Sequence, residues 1–350
     1  MRCLIAVIAF GVVVPTAHAA TPVAADYKLV NRTVVGGPGR WDYLSVDAAA
    51  QRLFISRSDR VMVMSLSDGK MVGEISGTEG VHGIALVPSL HRGYTSNGRG
   101  DSVTVFDLAS LKTVDTFKVN GHNPDAIVFD PSSKHLFTLN GRSKDASILD
   151  ASTGKEVATL PLGGKPEFAV VDGKGHLFVN IEDTAELVSI DTAKNQVLHR
   201  WPLAHCEEPS GLAMDLRHER AFSTCQNGTL AVTNTENGKA VASVPIGKGP
   251  DAAAFDADRG LVFSSNGEDG TITVIHEDSE DKYSVVATVA TQKSARTMVL
   301  DSSNHRIYSV AAEFGVAPAA TEKEPHPRAP LVEGSFTVLT VGSEGAKDGR

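Results

Sequence analysis

Pro124-Asp125-Ala126-Ile127-Val128-Phe129-Asp130 decides the fold, because the same phrase returns with substitutions six more times along the chain. The other copies are Trp41-Asp42-Tyr43 to Asp47, His82-Gly83-Ile84 to Pro88, Pro166-Glu167-Phe168 to Asp172, Pro209-Ser210-Gly211 to Asp215, Pro250-Asp251-Ala252 to Asp256, and Ala295-Arg296-Thr297 to Asp301. Five of the seven open on Pro or Ala, and all continue with an acid or its replacement and run through an apolar stretch to Asp or Pro. The copies end at positions 47, 88, 130, 172, 215, 256 and 301, so the repeat is 41 to 45 residues long. That is the length of one four-stranded propeller blade.

The remainder of each repeat supplies the other strands. A second strand carries an aromatic at one register in all seven copies: Phe54, Tyr94, Phe137, Phe178, Phe222, Phe263 and Tyr308. Third strands follow polar turns, as in Ser102 to Asp107 and Gly270 to Ile275, and fourth strands such as Lys155 to Leu160 complete the unit. Alternation with a period of two, broken by Gly, Asn and Asp, is the mark of hairpins, and no helical stretch competes with it after the leader. The last repeat has a third strand at Ser335 to Val341 and no fourth, while Tyr27 to Val35 is strand-like and has no blade. The expectation is an all-β, seven-bladed β-propeller with the N-terminal strand closing the last blade, which removes exposed sheet edges.

Residues 1–19 are a separate object. Arg2 is followed by an apolar run from Leu4 to Pro15 and by Ala17-His18-Ala19, which fits a cleavable secretory leader. The run is too short for a membrane anchor, and Cys3 precedes it, so it is not placed for acylation at the cleavage site. The mature protein, residues 20–350, is expected to be periplasmic or secreted, a monomer, and a single domain with a Pro-rich insertion at about 312–334. Among 350 residues, 33 Lys and Arg face 42 Asp and Glu, a net charge of -9. Phosphate neutralisation needs a basic surface, so nucleic acid is not an expected partner.

Phrases such as Gly121-His122-Asn123-Pro124-Asp125-Ala126-Ile127, Gly164-Lys165-Pro166-Glu167-Phe168-Ala169-Val170 and Ile246-Gly247-Lys248-Gly249-Pro250-Asp251-Ala252 resemble the YVTN, or YncE-like, β-propeller proteins. The likeness spans nearly the whole mature chain. It implies an exported or surface propeller, and it implies no particular activity. Some propellers similar to that family in fold carry haem or quinone, but this chain has no C-x-x-C-H attachment motif. The DNA-binding role of one branch is not carried over to an acidic chain without a basic patch interleaved with aromatics.

In a propeller the inner strands line the channel, so the residues just before them converge on one mouth. That ring reads Asp42, Gly83, Asp125, Glu167, Ser210, Asp251 and Arg296, flanked by Trp41, His82, Glu208 and Thr297. Loops after the second strands are expected on the same face with Arg57, Asn97, Asn140, Asn180, Gln226 and Asn266. Two readings stand side by side. The acids fasten the blades around a water-filled channel, or they form a ligand site for a small molecule, a cation or a protein partner. Oxygen-rich ligands would suit Ca²⁺ or Mg²⁺, whereas His82, His122 or His205 would favour Zn²⁺ or Cu²⁺. No standard metal or nucleotide motif is present; Gly36-Gly37-Pro38-Gly39 is not followed by Gly-Lys-Ser or Gly-Lys-Thr and a helix. Arg99-Gly100-Asp101 matches an adhesion tripeptide, but Gly and Asp there are ordinary turn residues. An alternative function is a metal-dependent lactonase-type hydrolase using Glu167, Asp251, Asn140 and Asn266. Cys206 precedes the fifth inner strand and Cys225 ends its neighbour, so a disulfide between them is expected in an oxidising compartment, with a thiol pair for copper or redox chemistry as the rival reading.

Overall fold

The computed structural model describes residues 26–321, 325 and 327–343, so the expected leader lies outside the described residues. Seven antiparallel four-stranded sheets form, one for each repeat. Their inner strands are Leu44–Asp47, Val81–Val87, Pro124–Asp130, Pro166–Val171, Pro209–Asp215, Pro250–Asp256 and Met298–Asp301, here numbered blades 1 to 7. Each inner strand touches the next, and Met298–Asp301 touches Leu44–Asp47, so the ring is closed. At Gly83 the neighbouring backbone comes so near that a Cβ would lie 2.8 Å from the Ile127 amide nitrogen and 2.9 Å from the Asp125 carbonyl. Only glycine fits there.

The seventh sheet runs in the order Tyr27–Val34, Thr337–Ser343, Arg306–Ala311, Met298–Asp301. The N-terminal strand is therefore the outermost strand of the last blade, paired from Tyr27 with Ser343 to Val34 with Thr337. Tyr27 anchors it: the ring packs against Phe263 and the hydroxyl donates to the His305 carbonyl at 3.0 Å. The third strand of that blade starts at Thr337 rather than Ser335, because Ser335 closes a turn by donating from Oγ to the Val332 carbonyl at 2.7 Å.

The core lies between blades. Second strands are flanked by two strands of their own sheet and covered by adjacent blades, so they are buried along nearly their whole length, whereas the outermost strand Thr113–Lys118 is almost wholly exposed. The recurring aromatic of each second strand is at most 4% exposed. Phe54 of blade 1 meets Phe106 of blade 2 at 5.9 Å, and Phe222 of blade 5 meets Phe255 of blade 6 at 5.3 Å. Each such side chain contributes roughly 1.5–3 kcal/mol by leaving water, repeated around the disc.

The Asp that ends most copies has a local cause. It caps the turn into the second strand: Asp130 accepts from the backbone of Ser132 and Ser133, Asp172 from Lys174, and Asp301 from Ser303. These turns lie on the face opposite the mouth. Within the insertion, Phe314 and Leu331 bridge its two arms, and Arg40 Nη2 donates to the Ala329 carbonyl, which folds the insertion back toward the mouth.

Candidate functional site: the channel mouth

The second position of the repeated phrase lies at the start of each inner strand, and there the side chains form an ordered chain of partners. Arg296 donates from Nη1 to Asp251 Oδ2 at 2.6 Å and from Nη2 to Asp42 Oδ1 at 3.3 Å. Asp42 Oδ2 is 2.6 Å from His82 Nδ1, which lies 3.7 Å from Asp125 Oδ1. On the other side, Ser210 Oγ donates to Asp251 Oδ1 at 3.0 Å, and Lys165 Nζ is 2.7 Å from Glu167 and also pairs with Glu182. Gly98 leaves room for the His82 ring; a Cβ there would lie 2.7 Å from it.

These contacts leave Asp125 the least satisfied acid. Its carboxyl accepts no hydrogen bond among the described residues, and burial followed by the charge of Asp42 pushes its pKa up to about 7. Glu167 is driven further, to about 9, by burial, by Asp125 and by its contact with Glu182, against the pull of Lys165. Burial works to lower the His82 pKa, but the hydrogen bond that its ring donates to Asp42 and the charges of Asp125 and Asp42 outweigh it and the imidazole is raised. Burial also raises Asp251, although Arg296 offsets part of the effect. Beneath the acids, Tyr43 packs on Phe168 at 4.6 Å, and its buried hydroxyl has no hydrogen-bond partner.

Two hollows share Asp42, Arg296 and Arg328. The larger, about 880 Å³, is lined by Arg40, Arg99, Arg142 and Arg328 facing Trp41, Asp42 and His82. The smaller, about 320 Å³, holds Tyr43, Asp125, Glu167, Glu208 and Asp251. The mouth is therefore bipolar, with an arginine side and a carboxylate side, rather than mostly negative. Arg142 and Arg328 have no side-chain hydrogen-bond partner among the described residues, while Arg40 lies over the Phe314 ring and Arg99 pairs with Asp59.

Of the ring residues expected from sequence, Asp42, His82, Asp125, Glu167, Glu208, Asp251 and Arg296 meet at the mouth, and Trp41 borders it, 8% exposed against Phe336 and Phe314. The amides do not. Asn97, Asn140 and Asn266 are fully buried inside their own blades, bonded to Thr104, Ser147 and Thr273 of the next strand at 2.9 to 3.1 Å. Asn180 is likewise buried, bonded to the backbone of Ser210 and Gly211. A hydrolytic set of Glu167, Asp251, Asn140 and Asn266 is accordingly not assembled. Arg57 is also removed from the mouth: it is buried under Phe336 at 3.5 Å and donates to the carbonyls of Gly37, Pro38 and Gly39.

What the ring argument missed lies two residues further on. In Asn97-Gly98-Arg99 and Asn140-Gly141-Arg142 the Asn turns into the blade and the Arg faces the mouth. The repeated Asn-Gly-Arg string is the signal that could have revealed them. Asp42, His82 and Asp125 bring ligand atoms within 4.8 Å of one another, as a cation would need, yet His82 and Arg296 already balance Asp42. His122 instead lies 3.0 Å from Asp101, and the His205 carbonyl accepts from Asn227. The expected disulfide is present, joining Cys206 to Cys225 with Cα atoms 5.2 Å apart and bracing the loop before blade 5.

No protein-family model matches the chain, and no curated protein sequence matches it. Solved structures do. Hydrazine synthase of Kuenenia stuttgartiensis aligns at 16% identity over 86% of this chain and 97% of its own, with a TM-score of 0.69. U3-55K aligns at 12% identity over 91% and 99%, with a TM-score of 0.73. The WD40 repeats of RRP9 align at 11% identity over 92% and 99%, also at 0.73. At such identities the likeness is one of fold: this chain is a seven-bladed propeller similar in architecture to WD40 and hydrazine synthase propellers.

Proposed function

We propose that the protein is an exported, YncE-like binding propeller whose mouth takes a small zwitterion, with its anionic group toward Arg142 and Arg328 and its cationic group toward Asp125. One observation carries this reading. Two exposed guanidinium groups, Arg142 and Arg328, without hydrogen-bond partners among the described residues line a cavity of about 880 Å³, and the neighbouring hollow holds the Asp125 carboxyl, which likewise accepts no hydrogen bond among them. An unmade hydrogen bond is costly for the largely buried Asp125 carboxyl, and a ligand bearing both charges supplies it a cationic partner while its anionic end meets the exposed guanidinium groups. Guanidinium forks suit carboxylate or phosphate, and the cavity volume falls within the range of small-molecule sites. The leader and the Cys206–Cys225 bridge support a location outside the cytoplasm.

The test is calorimetric titration with amino acids and short peptides, beside matched simple amines and simple carboxylates. A zwitterion should bind at least ten times more tightly than either half, and Arg142→Ala and Asp125→Asn should each weaken it roughly 10-fold or more, as loss of a charge-assisted bond implies. Equal affinity for the zwitterion and its halves, or unchanged affinity in Arg142→Ala, overturns the reading.

A further inference from the structure

On the face opposite the mouth, the inner strand of blade 5 ends at Asp215 and turns through His218 into the second strand. The third and fourth strands of blade 6, Thr271–Ser279 and Lys282–Ala290, are nine residues each, against six or seven in the corresponding strands of blades 3 to 5. The extra length carries Glu277 over the blade 5 turn. Arg220 holds the two together, donating to the carbonyls of His218 and Glu280 at 2.6 and 2.9 Å and to Asp281 at 2.9 Å.

We propose that Asp215, His218 and Glu277 bind one divalent first-row transition-metal ion, Zn²⁺ foremost, as a staple between blades 5 and 6. Their ligand atoms lie within 4.8 Å of one another. His218 Nδ1 is 2.6 Å from Asp215 Oδ2 and 3.4 Å from Glu277 Oε1. Proximity alone would be no argument, since carboxylates and histidines often pair. The alignment differs here: although close, Asp215 Oδ2 and His218 Nδ1 are out of line for a hydrogen bond, and both are buried atoms with no hydrogen-bond partner among the described residues. Asp215 as a whole is 2% exposed.

The repeat provides an internal control. The equivalent Asp130, Asp172 and Asp301 use both carboxylate oxygens in hydrogen bonds, Asp172 to a histidine ring at 2.7 Å, whereas Asp256 bonds the His305 ring at 2.7 Å through one oxygen and leaves the other without a partner, and Asp47 accepts only from the Ala50 amide among the described residues. Asp215 uses one oxygen, to the Arg217 amide at 2.9 Å, and leaves the other aimed at His218 and Glu277. The same contrast holds against the mouth, where His82 and Asp42 are properly hydrogen-bonded.

One buried and one part-buried carboxylate beside an imidazole are a cation's ligand set. One nitrogen and two oxygens favour a borderline ion over Ca²⁺ or Mg²⁺, and three protein ligands leave a position for water. Tyr283 donates to Glu277 Oε1 at 3.1 Å, the outer-shell support expected for a carboxylate ligand. The His218 side chain, 31% exposed, gives a path from solvent.

The experiment strips purified protein with chelator, reloads it with Co²⁺ or Zn²⁺, removes excess by gel filtration, and reads Co²⁺ absorption and Zn²⁺ content. One ion per chain is expected in the wild type and in His82→Ala, and less than a tenth of that in His218→Ala and Glu277→Gln. Melting in EDTA should lower the wild-type Tm to that of His218→Ala, which EDTA should not move; the conservative Glu277→Gln covers a misfolded alanine variant. A wild type that retains no metal, a His218→Ala that retains as much as the wild type, or a His82→Ala that loses it overturns the proposal. Retention of the ion by His82→Ala separates this site from the mouth.

Discussion

Asp125→Asn removes a carboxylate that the mouth holds at a disadvantage, so this variant should be more stable than the wild type, and only at higher pH. The folded carboxyl binds its proton with a pKa of about 7 against an ordinary 3.8, so between those values the folded protein holds more protons than the unfolded chain. Stability therefore falls as pH rises through this window, and below about pH 4 the two states differ little. The whole displacement corresponds to a ceiling of about 4 kcal/mol at pH 8. Two effects reduce it: the side chain is 16% exposed, and His82, 3.7 Å away, loses a favourable neighbouring charge in the variant. About half the ceiling, ~2 kcal/mol, is a reasonable expectation. With roughly 0.7 kcal/mol/K of unfolding entropy for a domain of this size, that raises Tm by about 3 °C at pH 8 and by almost nothing at pH 4. Scanning calorimetry of both proteins from pH 4 to pH 8 measures it. A shift of equal size at pH 5 and pH 8, or a lower Tm for the variant at pH 8, refutes the reasoning.

Further outcomes follow from other parts of the molecule. Cys225→Ser, or reduction of the wild type, should cost about 3 kcal/mol, the value for opening a loop closed across 19 residues. The matching assay is a thiol count beside a melt, and free thiols in native protein or an unchanged Tm count against it. Asn266→Ala should destabilise by roughly 2 kcal/mol by stripping the hydrogen bonds to Thr271 and Thr273 inside blade 6. Because this amide faces away from the cavity, ligand affinity should stay within a factor of two; a tenfold loss of binding with unchanged stability would return Asn266 to the mouth.

How much of this was legible beforehand depended on the range of the interaction involved. Strand content, blade number and the closing role of Tyr27 to Val34 could be read because hairpins are local, and seven nearly equal copies must do nearly the same thing. The disulfide could be read for the same reason: Cys206 and Cys225 lie at one end of neighbouring strands. The carboxylates of the ring were found because they occupy one register of the repeat, a geometric consequence of inner strands starting at one face.

Side-chain direction was the part that spacing could not supply. Asn97 and Arg99 are two residues apart in one turn, yet the first is consumed by the hairpin and the second reaches the cavity, because the buried turn needs an amide that can both donate and accept. Arg57 shares the register of Asn97 but is drawn inward by carbonyls of Gly37 to Gly39 and by the face of Phe336, partners more than 17 residues away in sequence. The arginine side of the mouth likewise depends on an insertion from blade 7 folding over blade 1. The chain's own periodicity thus determined the disc and its hub, since neighbouring strands pair through contacts close in sequence. Which charges face one another across the opening was decided only when blades distant in sequence closed into a ring, because the field at each group comes from side chains that no local pattern brings together.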